Sequence, residues 1–252
     1  ADRTSAYSQY VLSVDEVGVP PNKRRQSDAV LQQLFAVVED SPTLYQTVLR
    51  LIRSAYISTG LPAYCALRAD LLMLCHDQAV TDMQSRDSCW QFCWCLDAGV
   101  RDQLDDRLME MVDNFLVEVP ASHPVIGEVA MICAAPPIQR LLLQSVVDRC
   151  AKCVDAAILP RQQPHLATLL QLLCLGLDSQ SIISSQAFVL HREQCTTLLN
   201  ECLPLLCAQM VWSELGQPQA AVAAKLCDLL HSSQATRLIV CFYVVQRVHA
   251  CD

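Results

Sequence analysis

Cys89, Cys93 and Cys95, with His76 upstream, are the residues whose types come nearest to a metal-binding set. A structural zinc needs four nitrogen or sulfur ligands converging on one point. Cys89 and Cys93 are four apart, as are Trp90 and Trp94, so on a helix each pair shares a face. Cys95 follows Cys93 by two residues, which turns its side chain through about 200° on a helix. At most two of the three thiols converge, and the set is expected to pack rather than ligate. Cys150-Ala151-Lys152-Cys153 is a lone CxxC with no second CxxC and no HxxxH to complete a site. Cys75 and His76 are sequence neighbours and point apart on a helix, which leaves the thiol without its base. The chain has no GxSxG, HExxH, phosphate-loop or GxGxxG motif. No catalytic residue, no cofactor and no metal site is expected.

Two further groups could bind partners. Lys23-Arg24-Arg25, after Pro20-Pro21-Asn22, is the one basic cluster, a candidate contact for nascent RNA or for nuclear import. Three cations would give a salt-sensitive anchor but no sequence recognition. The bland alternative is a solvated linker. Asp97, Asp102, Asp105, Asp106, Glu110 and Asp113 surround a helix junction and are expected to form a solvated acidic face. Arg68, Asp70 and Asp97 lie inside strongly apolar text, where an unpaired charge is costly, so a buried interhelical pair of Arg68 with Asp97 is expected. Near the end of the chain, Leu238, Phe242 and Val245 are candidate partner-docking positions on the last helix.

The elements that must carry these residues are helices. The sequence is 52% hydrophobic, with only 6 glycines and 6% aromatic residues, which excludes a disordered chain and disfavours a turn-rich β-sandwich. Proline marks first turns at Pro42, Pro62, Pro124, Pro137, Pro164 and Pro218, and glycine marks helix ends at Gly60, Gly176 and Gly216. Apolar spacing of three and four between these marks predicts helices near 28–39, 42–58, 63–77, 86–102, 105–118, 124–134, 137–156, 164–177, 180–188, 192–214, 218–231 and 234–250. Pro204 should kink or split the segment 192–214. Ser27-Asp28, Asp40-Ser41 and Asp87-Ser88 supply N-caps. Residues 1–26 read as an N-terminal linker carrying the basic cluster, and 27–252 as a single helical-repeat domain.

Fifteen cysteines, an odd number set mostly at apolar helix positions such as Cys133, Cys174, Cys202, Cys227 and Cys241, fit buried free thiols in a reducing compartment. The net charge is −8, all of it from residues 61–252, so most of the surface would repel polyphosphate. The longest apolar run, Leu238–Val245, is eight residues, well short of the ~18 that cross a bilayer. Helices apolar over a wide arc, such as the one carrying Leu166, Leu169, Leu170 and Leu173, must be sandwiched between neighbours. Short connections leave an irregular stack of antiparallel helix pairs or a compact all-α bundle open.

One stretch is more specific. Tyr64-Cys65, Leu67-Arg68-Ala69, Leu71-Leu72-Met73, His76-Asp77, Asp87, Cys89, Phe92 and Trp94-Cys95-Leu96-Asp97-Ala98 resemble the middle of the negative elongation factor B family. The likeness runs from Leu44-Tyr45 through Arg101 and persists at Val129–Cys133 and Leu159-Pro160-Arg161. It thins over 179–232 and returns at Cys241–Val245. Two departures stand out: few residues around Gly216–Gln219 replace a longer polar loop, and the family's outer regions are absent, so the chain is expected to be a piece of a longer protein. The resemblance implies an all-α, irregular HEAT/armadillo-like α-solenoid. It also implies a nuclear scaffold that bridges the subunit with an RNA-recognition domain to the other negative elongation factor subunits and so stabilises promoter-proximal pausing of RNA polymerase II. The competing reading is an RNA-contacting helical-repeat adaptor that uses its local basic patch.

Overall fold

The computed structural model describes residues 19–120, 123–185, 188–215 and 220–249. Among these residues there is no strand. The helices are α1 (Pro21–Ser27), α2 (Ala29–Val38), α3 (Pro42–Thr59), α4 (Ala63–Asp77), α5 (Thr81–Arg86), α6 (Trp90–Asp102), α7 (Asp106–Glu118) and α8 (Val125–Cys133). They continue as α9 (Pro136–Asp155), α10 (Leu166–Leu177), α11 (Ser179–Ser185), α12 (Phe188–Thr197), α13 (Leu203–Leu215), α14 (Ala220–Ser232) and α15 (Gln234–His249). The all-α solenoid read from the chain is the fold.

Local sequence sets most boundaries. The Asp28 carboxylate accepts from the backbone N–H groups of Val30 and Leu31 at 2.9 and 3.1 Å, so α2 starts where its cap predicts. Ser41 caps α3 with Pro42 in the first turn, and Gly60 ends that helix in the left-handed conformation at φ 68°. Asp87 accepts from the Cys89 N–H at 2.9 Å, but α5 occupies the start of the segment expected as one helix over 86–102. Pro204 splits 192–214 as anticipated. The five residues Leu198–Cys202 widen into a π-turn before α13 begins, which accommodates a ring that cannot donate within a helix.

Two expectations need correction. Gly176 does not end a helix; it lies inside α10, where an added Cβ would run into the backbone carbonyl of Cys133. It is there to let α10 and α8 approach closely. Residues 21–26 are not a linker either, since α1 packs on α4 with Arg25 fully buried. Residues 1–18 and the connection Gly216–Gln219, with the helix marks expected at Gly216 and Pro218, lie outside the described residues.

Two helices form the interior. Helix α4 is wrapped by α1, α2, α3, α6 and α8, and it buries both flanks, including Cys65, Leu71, Leu72, Leu74 and Cys75. Helix α10 is wrapped by α8, α9, α12 and α15 and buries Leu166, Leu169, Leu170, Leu172 and Leu173. Helix α8 touches both, and α9 leaves it at a bend of 81°, so this pair joins the two halves of the core. Burying the side chains of such leucines stabilises by about 2 kcal/mol each. Among the described residues twelve cysteines, including Cys133, Cys174 and Cys202, are buried and free, while Cys227 and Cys241, expected inside, are exposed.

Candidate partner-docking surfaces and the ionic core

The charges noted in the sequence are largely internal. On α4 and α6, Asp70, Asp77 and Asp97 outnumber Arg68, the one cation buried in those two helices, and a second buried cation must come from elsewhere. Arg25 supplies it. Its Nη1 donates to Asp97 at 2.8 Å and its Nη2 to Asp77 at 2.8 Å, with Asp70 at 3.9 Å. Burial works against this guanidinium, but Asp97, then Asp77 and Asp70, outweigh it and hold its pKa above the ordinary arginine value. Arg24, just before it on the same turn, lies 3.7 Å from Asp70.

The sequence suggests a pair of Arg68 with Asp97. The structure instead pairs Arg68 with Glu128 at 2.9 Å and Asp87 at 3.7 Å, and Asp97 with Arg25 and, at 3.5 Å, Arg101. Both residues are buried and both are ion-paired, but α8 and α1 provide the partners, neither of which is adjacent in sequence. Glu128 also binds Arg53 of α3, and the Tyr45 hydroxyl donates to Asp87 at 3.0 Å. Burial beside that carboxylate pushes the Tyr45 phenol far above its usual range. One polar network therefore ties α3, α4, α8 and the loop before α6.

The same geometry dismantles the basic cluster as a free surface. Lys23 is exposed, but Arg25 is fully buried and Arg24 is held against α4. The acidic face is likewise divided: Asp97 is inside, Asp105 caps α7 through Leu108, Asp106 meets Arg149 at 2.9 Å, and Asp113 contacts His165. His76 stacks on Trp90 with ring centroids 5.5 Å apart, and the Cys93 thiol donates to the Ala69 carbonyl at 3.9 Å. The Cys207 thiol donates to the carbonyl of Cys150 at 3.8 Å. Among the described residues no three His, Cys, Asp or Glu side chains are grouped to hold a metal ion. Burial pushes the thiols of Cys65, Cys75 and Cys89 up to about 12, which keeps them protonated and unreactive.

Two open surfaces adjoin positions singled out in the sequence. A groove of about 980 Å³ between α1, the end of α6, α9 and α15 is lined by Arg24, Val100, Leu104, Lys152 and Phe242. It brings Arg24 and Phe242, separate patches in the sequence, to one place. Arg101 and Arg149 of its walls are already matched by Asp97 and Asp106, so the groove is polar but ion-paired. The second surface is the outside of α15, where Leu238 is 37% exposed, Val244 and Val245 51% and Val248 60%. Gln234, Arg237 and Cys241 share this arc, and Phe242 turns inward against the core. Only Leu229 of α14 is buried. Of the positions expected to dock a partner, Leu238 and Val245 lie on this stripe and Phe242 does not, while Val244 and Val248 join it unexpectedly; the exposure of α14, rich in alanine, has no signal in the pattern.

Comparison with known proteins is in agreement with the stretch centred on α4 and α6. The family described as Cofactor of BRCA1 (COBRA1) matches residues 5–243. Negative elongation factor B of Mus musculus and of Homo sapiens are each 34% identical over 194 residues, 76% of this chain and 33% of theirs. The Drosophila melanogaster protein of that name is 33% identical over 193 residues, 76% of this chain and 32% of its own length. The chain belongs to this family. It spans about a third of the length of these curated relatives. Of the residues that carry the resemblance, Arg68 and Asp77 of α4, Asp87 of the loop before α6 and Asp97 of α6 take part in the ionic network with Arg25 and Glu128.

Proposed function

We propose that this chain is a scaffold segment of a negative transcription elongation complex. It acts in the nucleus by binding other subunits, including the one with an RNA-recognition domain, and so stabilises promoter-proximal pausing of RNA polymerase II. The observation that carries this reading is the outer face of α15, with Leu238, Val244, Val245 and Val248 open to solvent beside a barely buried α14. An apolar helix face of this kind is a docking surface for an amphipathic segment. The name of the curated relatives supports the complex to which the partner belongs. The role is non-catalytic, and RNA polymerase II is engaged through the other subunits. A direct RNA contact through Lys23, Arg24 and Arg25 loses its basis with Arg25 buried and Arg24 paired.

Co-expression with the RNA-recognition subunit followed by gel filtration at low and high salt tests the proposal. Co-elution that survives high salt, and is lost in a Val244→Asp/Val248→Asp variant, is the expected result. Separation of the two folded proteins at low salt would contradict it.

A further inference from the structure

A cleft of about 720 Å³ opens on another side of the molecule, between the end of α7, the turn Pro160–Gln162, α10 and α12. Its apolar wall is aliphatic: Leu116 and Val117 from α7, with Val117 85% exposed, and Leu199 from the π-turn. Facing that wall are Arg161 and Arg192, both exposed and neither within ion-pair distance of a carboxylate among the described residues. Arg192 lies over the Phe188 ring, 5.8 Å from its centroid, which holds its guanidinium at the cleft edge. The one carboxylate in the lining, Asp113, is bound by the His165 imidazole. It lies beyond ion-pair distance of both arginines, so the lining carries two cations against one anion. Gln163 and Gln171 add amide groups able to pair with a peptide backbone.

We propose that this cleft is a docking site for an acidic, aliphatic peptide segment of a partner protein, its carboxylates on Arg161 and Arg192 and an apolar side chain against Leu116, Val117 and Leu199. Two arginines without a carboxylate partner among the described residues make this cleft locally positive on a chain of net charge −8, so a negative occupant is directed to this place rather than to the surrounding surface. A peptide fits better than a nucleic acid. No Phe, Tyr or Trp side chain lines the cleft for bases to stack on, and two cations give little phosphate affinity. The inference rests on the cleft alone and goes beyond the scaffold reading, whose docking face is on α15.

The test is fluorescence anisotropy of the whole 252-residue chain with a labelled short peptide alternating glutamate and leucine, beside a labelled oligouridylate of equal charge. Peptide binding that weakens with salt is expected to fall at least about tenfold in Arg161→Glu/Arg192→Glu. Val117→Asp should weaken it as well, and Arg247→Glu on α15 should leave it unchanged. All of these positions are exposed, so circular dichroism should match wild type. No peptide binding, equal binding by the double variant, or tighter binding of the oligouridylate would each overturn the proposal.

Discussion

Around α4 and α6 a fully buried guanidinium meets three carboxylates, and a second buried arginine meets two more. At the other end of the fold, α14 and α15 bury only Leu229, Ala235, Thr236 and Ile239 among their described side chains. The first region fixes a unique packing at the cost of desolvating charges, and the second leaves apolar surface open. Under the proposed function this is a division of labour: the ionic core holds the stack in register, and the α14–α15 hairpin offers the docking face.

The comparison breaks most severely at Arg25. Arg25→Met strands Asp77 and Asp97 and should cost about 3–5 kcal/mol in denaturant unfolding. Arg101→Met, at a partner of Asp97 that is one-third exposed, should cost about 0.5 kcal/mol. Equal effects would mean that Arg25 is not the lock. Tyr45→Phe removes the hydroxyl that serves Asp87 and should cost about 1–2 kcal/mol by the same measurement. On the other side of the comparison, Val244→Asp/Val248→Asp should shift stability by no more than about 0.5 kcal/mol, because both side chains already face water. A large loss there would show that the stripe is packed within the chain. The mildest probe is native alkylation read by mass spectrometry. Cys227 and Cys241 should react quickly, whereas Cys65, Cys75 and Cys89, buried with thiols pushed up to about 12, should wait for unfolding.

The helices are legible because their punctuation is local: Asp28, Ser41, Pro42 and Gly60 act within one turn of themselves. Gly176 escapes that logic because its close crossing with Cys133 depends on a neighbour 43 residues away. The ionic core is half legible. Buried charges at Arg68 and Asp97 demand partners, but spacing says nothing about which distant helix brings them. An excess of carboxylates on α4 and α6 over their single buried cation is the available signal for Arg25. The cleft at Arg161 and Arg192 leaves no trace in the pattern, since it is assembled from separate elements.

Hydrogen exchange on the chain, alone and bound to the RNA-recognition subunit, tests this division most directly. Amides of α1, α4 and α6 should be well protected in both states, while those of α14 and α15 should exchange readily alone and slow on binding. Protection gained at α1, α4 and α6 with α14 and α15 unchanged would contradict it.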